Sequence, residues 1–174
     1  MDLLNELDIP KNKWKSISSS ELKDVENDIL DLVQNAYGPI GGHPNYKSVS
    51  DLAGSDYEII DLDDDPEIDA VTITKSRPGG VKHVGMGHDG TRSAKDSSID
   101  HTVNQLKNTG NYIEASGAME HILRKRGVVQ VTDKDTIIKA LKGKEIKMYD
   151  DGSYDRVLGG KTHKKTMFGK PRVW

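Results

Sequence analysis

Apolar residues recur at helical spacing in the first quarter of the chain. Ser18 and Glu21 stand three residues apart, the spacing of a capping box at a helix N-terminus. The segment that follows places apolar side chains at intervals of three and four, on one stripe: Leu22, Val25, Ile29, Leu32, Val33 and Ala36. This pattern predicts an amphipathic helix from about Ser20 to Ala36, which ends before Gly38 and Pro39.

The apolar pattern then changes to the short runs that are typical of strands. It predicts strands at Tyr57–Leu62, Ile68–Thr74 and Val81–Met86. The first two flank an acidic turn at 63–66 and favour a hairpin. A loop from Gly87 to Arg92 follows the third strand. A helix then begins, with Ser93 and Asp96 as its expected cap and with an apolar side made of Ala94, Ile99, Val103 and Leu106.

The second half of the chain alternates short strands and helices. The predicted elements are a strand at Asn111–Ala115, a helix at Ser116–Arg126, a strand at Val128–Thr132, a helix at Asp133–Lys142, and strands at Glu145–Tyr149, Tyr154–Leu158 and Thr162–Phe168. Hairpins at both ends favour antiparallel pairing, and the middle permits one parallel step through a helix. We therefore expect a mixed α/β (α+β) sheet flanked by helices in a single domain over residues 1–174, in which 1–17 form a flexible arm.

Composition narrows the class of protein. The 174 residues are 34% hydrophobic and 30% charged, and none is cysteine. The lack of cysteine excludes a disulfide scaffold, a cysteine-ligated zinc site, an iron–sulfur cluster and thiol catalysis. No run approaches the roughly 20 apolar residues of a membrane span, and the first residues lack the pattern of a signal peptide. We expect a cytoplasmic protein that does not interact with membranes.

Charge is distributed unevenly along the chain. Residues 1–74 contain 5 Lys and Arg against 17 Asp and Glu, whereas residues 75–174 contain 20 against 11. The predicted strands at 145–174 end in a basic tail with the cations Lys161, Lys164, Lys165, Lys170 and Arg172. Such a tail could bind nucleic acid or an acidic protein. The alternatives are that the two halves complement each other within one fold, and that lysines protect an edge strand from aggregation.

The loop between the third strand and the next helix carries the pattern of an anion site. Backbone amides at the start of a helix, with a hydroxyl and a guanidinium nearby, suit a phosphate or pyrophosphate. The residues that would supply them are Gly87, Gly90, Thr91, Arg92, Ser93 and Ala94. The spacing matches neither a P-loop nor the dinucleotide fingerprint. The alternative is a structural turn in which the glycines serve only backbone geometry.

The order of elements over residues 18–132 resembles that of the GNAT-type N-acetyltransferases. In that family a strand leads through a pyrophosphate-binding loop with the motif Gln/Arg-x-x-Gly-x-Gly/Ala into a helix. Gly90 takes the first glycine place, whereas Gly87 and Arg92 depart from the motif. The resemblance implies a GNAT-like sheet and acetyl-CoA or another acyl-CoA as co-substrate at this loop. The predicted helix at 133–142 would be an insertion.

The resemblance also implies an acceptor amine, on a small molecule or a protein, beside the splay between the fourth and fifth strands of the family's sheet. Glu114 would then be the general base, and such a base works best with its pKa raised by burial towards the operating pH. Tyr154 would be the general acid for the departing thiolate, with Tyr112 as a second choice. The alternative for Glu114 is a structural carboxylate that pairs with an arginine or caps the next helix.

Other patterns are less informative about chemistry. His83, His88, His101 and His121 lack the spacing of a metal site, and Ser116 lacks the context of a hydrolase nucleophile. The segments YGPIGGHP at 37–44 and YDRVLGG at 154–160 resemble small tailed-bacteriophage proteins. The competing hypothesis for function is a non-catalytic module that binds nucleic acid or an acidic protein through the basic C-terminal half.

Overall fold

A computed structural model describes residues 11–38, 43, 45–63 and 67–172 of the chain. The elements in this part are β1 (Lys15–Ile17), α1 (Ser19–Ala36), a short 3-10 helix (Val49–Leu52), β2 (Asp56–Ile60), β3 (Ala70–Arg77), β4 (Gly80–His88), α2 (Arg92–Leu106), β5 (Asn111–Ala115), α3 (Gly117–Lys125), α4 (Lys134–Ala140), β6 (Tyr154–Leu158) and β7 (Lys161–Gly169). None of these helices is long and apolar enough to cross a membrane.

The strands form one seven-stranded sheet in the order β1-β2-β3-β4-β5-β7-β6. β4 and β5 are parallel, with Val81 opposite Asn111 and His83 opposite Ile113, and α2 connects them. The pairs β1–β2, β2–β3, β5–β7 and β6–β7 are antiparallel. The predicted α/β class, mostly antiparallel with one parallel step, is confirmed.

The structure differs from the prediction at three segments of the described chain: 128–132, 145–149 and β1. The segments 128–132 and 145–149 are not strands, because each contributes only a single bridge, at Gln130 and Met148. β1 was not predicted, since its three residues are too short for an alternating pattern. The acidic turn is described only in part, and residues 64–66 lie outside the described residues.

The chain divides into two compact units, and the first comprises Met1–Lys75 with Gly85–His101. In its described part, the Ser18 hydroxyl accepts from the Glu21 amide, and the Glu21 carboxylate accepts from the Ser18 amide at 3.0 Å. This capping box begins α1 as predicted. The apolar stripe of the helix is buried, and its backbone at Leu32 and Val33 packs directly against β4 at Gly87.

The second unit comprises Ser76–Val84 with Thr102–Trp174. Its core is formed by side chains from the sheet and from the segment around α4: Tyr112, Val131, Ile137, Ala140, Leu141, Ile146, Tyr154 and Met167. Asp133 caps the N-terminus of α4, and its carboxylate accepts from the Thr136 amide at 3.0 Å. The predicted helix at 133–142 is therefore present, and it covers one face of β5, β7 and β6.

Candidate active site

Glu114 lies on β5, in the second unit, and three side chains hold its carboxylate. The Lys82 Nζ donates to Oε1 at 2.8 Å. Arg156 donates from Nε to Oε2 at 2.8 Å and from Nη2 to Oε1 at 3.2 Å. The Tyr154 hydroxyl donates to Oε2 at 2.9 Å. The structure thus brings together the two residues predicted to be catalytic, and it adds Lys82 and Arg156, which the sequence analysis missed.

The strand registers explain how these groups meet. Glu114 is opposite Met167 of β7, and Tyr154 and Arg156 of β6 are opposite Lys165 and His163 of the same strand. Since side chains at alternate positions share a face, these groups point to one side of the sheet. Lys82 of β4 is opposite Tyr112 of β5, which shares the face of Glu114, so Lys82 reaches Glu114 on the same face from the strand next to β5.

The electrostatics of the cluster differ from the expectation for a general base. Burial of Glu114, whose side chain is 5% exposed, favours the neutral acid, but Lys82 and Arg156 outweigh burial and lower its pKa. The raised pKa that would best suit a general base is therefore not found, because the two cations lower the pKa of Glu114. Glu114 is ionised at neutral pH and only weakly basic.

The two tyrosines of the cluster stay protonated. Burial, together with the negative charge of Glu114, raises the pKa of Tyr154 far above its usual value of 10.0. Burial is also the largest cause that raises the pKa of Tyr112 to about 12. The Tyr112 hydroxyl donates to the Ala140 carbonyl at 3.4 Å, so it faces α4. Tyr154, which donates directly to Glu114, is the better placed of the two for proton transfer.

The predicted anion loop lies in the first unit and is shorter than expected. Gly87 and His88 belong to β4, and Arg92 begins α2. The Thr91 hydroxyl accepts from the Ala94 amide at 3.3 Å and caps the helix. The prediction that Ser93 and Asp96 form the cap is wrong: both lie within α2, and Asp96 pairs with Arg92 at 3.7 Å.

The amides of this loop are engaged by its own side chains. The Gly90 amide donates to the His88 Nδ1 at 3.1 Å, and the Thr91 amide donates to the Asp89 Oδ1 at 2.8 Å. The Asp89 carboxylate also accepts from the Thr91 hydroxyl at 2.5 Å, next to the N-terminus of α2. A carboxylate there is stabilised by the helix dipole. Asp89 thus takes up the Thr91 amide and hydroxyl, two of the donors predicted for a phosphate.

The other predicted residues of the loop have visible structural roles. A Cβ atom at Gly87 would lie 2.7 Å from the backbone of Leu32 and of Val33, so this glycine permits α1 to pack on β4. Gly90 has a φ of +91°, which favours glycine. The Ala94 side chain is buried in a small cluster, and the Arg92 side chain is 96% exposed. Among the predicted cofactor residues, Arg92 and Ser93 are exposed at the start of α2.

A group of three carboxylates in the first unit was also missed by the sequence analysis. Oxygens of Asp61, Asp63 and Asp69 lie within 4.8 Å of one another. Asp69 is buried and accepts from the Leu62 amide at 2.6 Å. Burial, aided by the charges of neighbouring aspartates, raises the pKa of Asp69 to about 6. The spacing D-x-D at 61–63 was the only local signal, because Asp69 stands six residues after Asp63 in the sequence.

We expect Asp69→Asn to stabilise the protein at neutral pH. Since folding raises the pKa of Asp69 from 3.8 to about 6, the protonated side chain stabilises the fold below pH 3.8, and this contribution is lost as the pH rises through 6. Asparagine stays neutral and keeps an oxygen for the Leu62 amide. The expected gain in the free energy of unfolding at pH 7 is about 1–2 kcal/mol.

Urea unfolding at pH values between 4 and 7 measures this effect. The stability of Asp69→Asn should fall less from pH 4 to pH 7 than that of the unmodified chain. Asp56→Asn, at an exposed position of β2, is the matched control for the loss of one carboxylate and should not reproduce the gain at pH 7. A gain from Asp69→Asn that is equal at every pH would contradict the account.

Comparison with solved structures identifies related folds. The ribosomal-protein-S18-alanine N-acetyltransferase from Escherichia coli is 11% identical, with 93% of this chain and 94% of that chain covered and a TM-score of 0.51. A GCN5-related N-acetyltransferase from Rhodopseudomonas palustris is 11% identical, with 94% and 97% covered and a TM-score of 0.49. An acetyltransferase from Bacillus subtilis, in complex with CoA, is 13% identical, with 91% and 97% covered and a TM-score of 0.49. No protein-family model and no curated protein matches the chain.

Proposed function

We propose that this chain, which has the fold of the GNAT-type N-acetyltransferases, is an N-acyltransferase that uses an acyl-CoA and an amine acceptor. The likeness of fold to the Escherichia coli enzyme, over 93% of the chain, carries the proposal. The hydrogen bond from Tyr154 to Glu114 supports it. A carboxylate that takes up a proton and a phenol that gives one up are the two groups that acyl transfer to an amine requires.

Acyl transfer removes one proton from the acceptor nitrogen and adds one to the departing thiolate. We assign the first proton to Glu114, which is ionised at neutral pH, and the second to Tyr154. Because the pKa of Tyr154 is raised, its proton leaves together with the transfer of a proton from Glu114 to the phenol oxygen and not in a separate step. Since their oxygens lie 2.9 Å apart, Glu114 can return its proton to Tyr154 after the reaction. Lys82 and Arg156 make Glu114 a weak base. It is therefore suited to deprotonate a nitrogen that is already bonded to the acyl carbon and has become acidic.

The loop of the first unit sets a condition for this function. In its present conformation the Asp89 carboxylate engages the Thr91 amide and would repel a pyrophosphate. Binding of an acyl-CoA through the amides and hydroxyls at 90–94 therefore requires the Asp89 side chain to move away. We expect the unmodified chain to bind acetyl-CoA weakly for this reason.

We expect Asp89→Asn to bind acetyl-CoA about ten times more tightly than the unmodified chain, because it removes one negative charge beside the pyrophosphate. Asparagine keeps an oxygen that accepts from the Thr91 amide, so the turn is retained. Isothermal titration measures both affinities. Asp24→Asn, on α1, makes the same change in net charge and should bind like the unmodified chain, whereas Arg92→Glu should abolish binding. Equal affinity of Asp89→Asn and the unmodified chain would contradict the assignment of this loop.

A second candidate function rests on the basic β6–β7 hairpin. The first five residues of β7 include three lysines and His163, and positions 161–164 are exposed. Such a strand suits the phosphates of nucleic acid. Double-stranded DNA is therefore the parallel ligand in the titration. Salt-sensitive binding of DNA, without binding of acetyl-CoA by the unmodified chain or by Asp89→Asn, would favour a non-catalytic binding module.

A further inference from the structure

One face of the sheet in the second unit carries more cations than carboxylates. Glu114 is opposite Met167, and Arg156 is opposite His163. Since Met167 and His163 are four positions apart on β7, they share a face, and Glu114 and Arg156 point to the same side as His163. Lys82 reaches this side from β4. Asp155, the neighbour of Arg156, points to the other side, where it accepts from the Tyr149 hydroxyl at 3.0 Å. Among the described strand residues around Glu114, two cations therefore share one carboxylate.

The hydrogen bonds leave part of both cations unused. Lys82 donates one of its three N–H groups to Glu114. Arg156 uses Nε and Nη2 on the same carboxylate. Within the described part of the chain, the Nη1 of Arg156 and the two other N–H groups of Lys82 have no hydrogen-bond acceptor. A net charge of about +1 thus remains at a cluster that is mostly removed from water.

The two side chains that carry these donors are partly exposed. The side chain of Lys82 is 20% exposed and that of Arg156 is 14% exposed, whereas that of Glu114 is only 5% exposed. Solvent therefore contacts the side chains of Lys82 and Arg156 more than it contacts the carboxylate of Glu114. Charge-assisted hydrogen bonds in such partly buried sites are stronger than those of surface lysines. An oxyanion that contacts both side chains would balance the charge.

We propose that Lys82 and Arg156 bind an oxyanion of the acceptor, so that the acceptor is an amine that also carries a carboxylate or a phosphate group. This inference rests on the proposed function and specifies its acceptor. Glu114 orients the two cations: its oxygens fix the Arg156 guanidinium in a bidentate arrangement and draw the Lys82 ammonium to the same point. An oxyanion held by the two cations would place the amine of the same acceptor next to Glu114.

Titration of the intact chain with succinate and with inorganic phosphate, without acetyl-CoA, tests the site. NMR signals of the Lys82 Nζ and Arg156 guanidinium groups should shift on addition of at least one probe. The probe that binds more tightly distinguishes a carboxylate from a phosphate acceptor. Lys82→Gln and Arg156→Lys should each weaken binding roughly tenfold. Absence of any shift at these two side chains in the unmodified chain, which requires no variant to fold, would overturn the proposal.

A matched control lies on the same hairpin. Lys164 of β7 is opposite Asp155 and therefore points away from the face that carries Glu114 and Arg156. Its Nζ lies 3.7 Å from an Asp151 carboxylate oxygen. Lys164→Gln should bind the probes like the unmodified chain. If Lys164→Gln weakens binding as much as Lys82→Gln does, the probes respond to the general charge of the hairpin and the proposed site is wrong.

Two different results distinguish a wrong acceptor from a wrong reaction. If the probes bind at Lys82 and Arg156 but no amine is acylated, the anion site stands and the proposed reaction is wrong. If a neutral amine is acylated as fast as its carboxylate-bearing and phosphate-bearing analogues, the reaction stands and the inference about the acceptor is wrong.

Discussion

Glu114→Gln is expected to lower the free energy of unfolding by about 3 kcal/mol. The substitution leaves Lys82 and Arg156 in place and removes the negative charge that both contact within 3.2 Å. The NH2 group of glutamine would also replace one of the two carboxylate oxygens, and it cannot accept a hydrogen bond from Lys82, Arg156 or Tyr154. An uncompensated pair of like charges in a partly buried site is one of the few causes of so large a loss.

Urea unfolding at pH 7 measures this loss, with Glu145→Gln, at an exposed position, as the control. The double variant Glu114→Gln/Lys82→Met should recover part of it, because one of the two opposing cations is gone. Since folding lowers the pKa of Glu114, its contribution is present above its usual value of 4.5 and is lost as the pH falls through the folded value. A loss below about 1 kcal/mol at pH 7 would contradict the account.

Gly87→Ala is expected to destabilise the protein by a similar amount, about 3 kcal/mol. The new Cβ atom would lie 2.7 Å from the backbone carbon of Leu32 and 2.7 Å from the backbone nitrogen of Val33. Backbone atoms within α1 cannot rotate away as a side chain can, so the helix must shift from β4. The cost is steric and does not arise from the φ angle of the glycine.

Thermal unfolding of Gly87→Ala and Gly38→Ala separates this contact from a general effect of glycine. A Cβ atom at Gly38 would have no heavy atom within 4 Å outside its chain neighbours. Gly38→Ala should therefore change the melting temperature little, or raise it slightly through the unfolded state. Equal melting temperatures of the two variants would contradict the close packing of α1 on β4.

Local signals predicted the elements that depend on neighbouring residues. The capping box at Ser18 and the apolar stripe placed α1 to within one residue of its observed start. The segments 128–132 and 145–149 have apolar runs that resemble strands, yet each pairs at only one position. An extended segment joins a sheet only where the edge strand of that sheet has unpaired backbone groups, and the rest of the fold determines where such an edge lies. The sequence does not encode that edge locally, which is also why β1 was missed.

The candidate site was only half predictable for the same reason. Glu114 and Tyr154 came from the resemblance, and the structure brings them together. Lys82 and Arg156 are 32 and 42 residues from Glu114, and only the order β4-β5-β7-β6 makes them its neighbours. Without them the direction of the pKa shift of Glu114 could not be predicted correctly. At the loop, the D-x-T sequence at 89–91 was a local signal for the turn that engages its own amides.

The release of free thiol from acetyl-CoA by the intact chain, with and without amines, tests the N-acyltransferase proposal most directly. The panel should pair neutral amines with carboxylate- and phosphate-bearing analogues. We expect the rate of thiol release to depend on the amine and to fall at least about a hundredfold in Tyr154→Phe, while this variant keeps its fold. Release that no amine increases, at acetyl-CoA concentrations that saturate Asp89→Asn, would contradict the proposal.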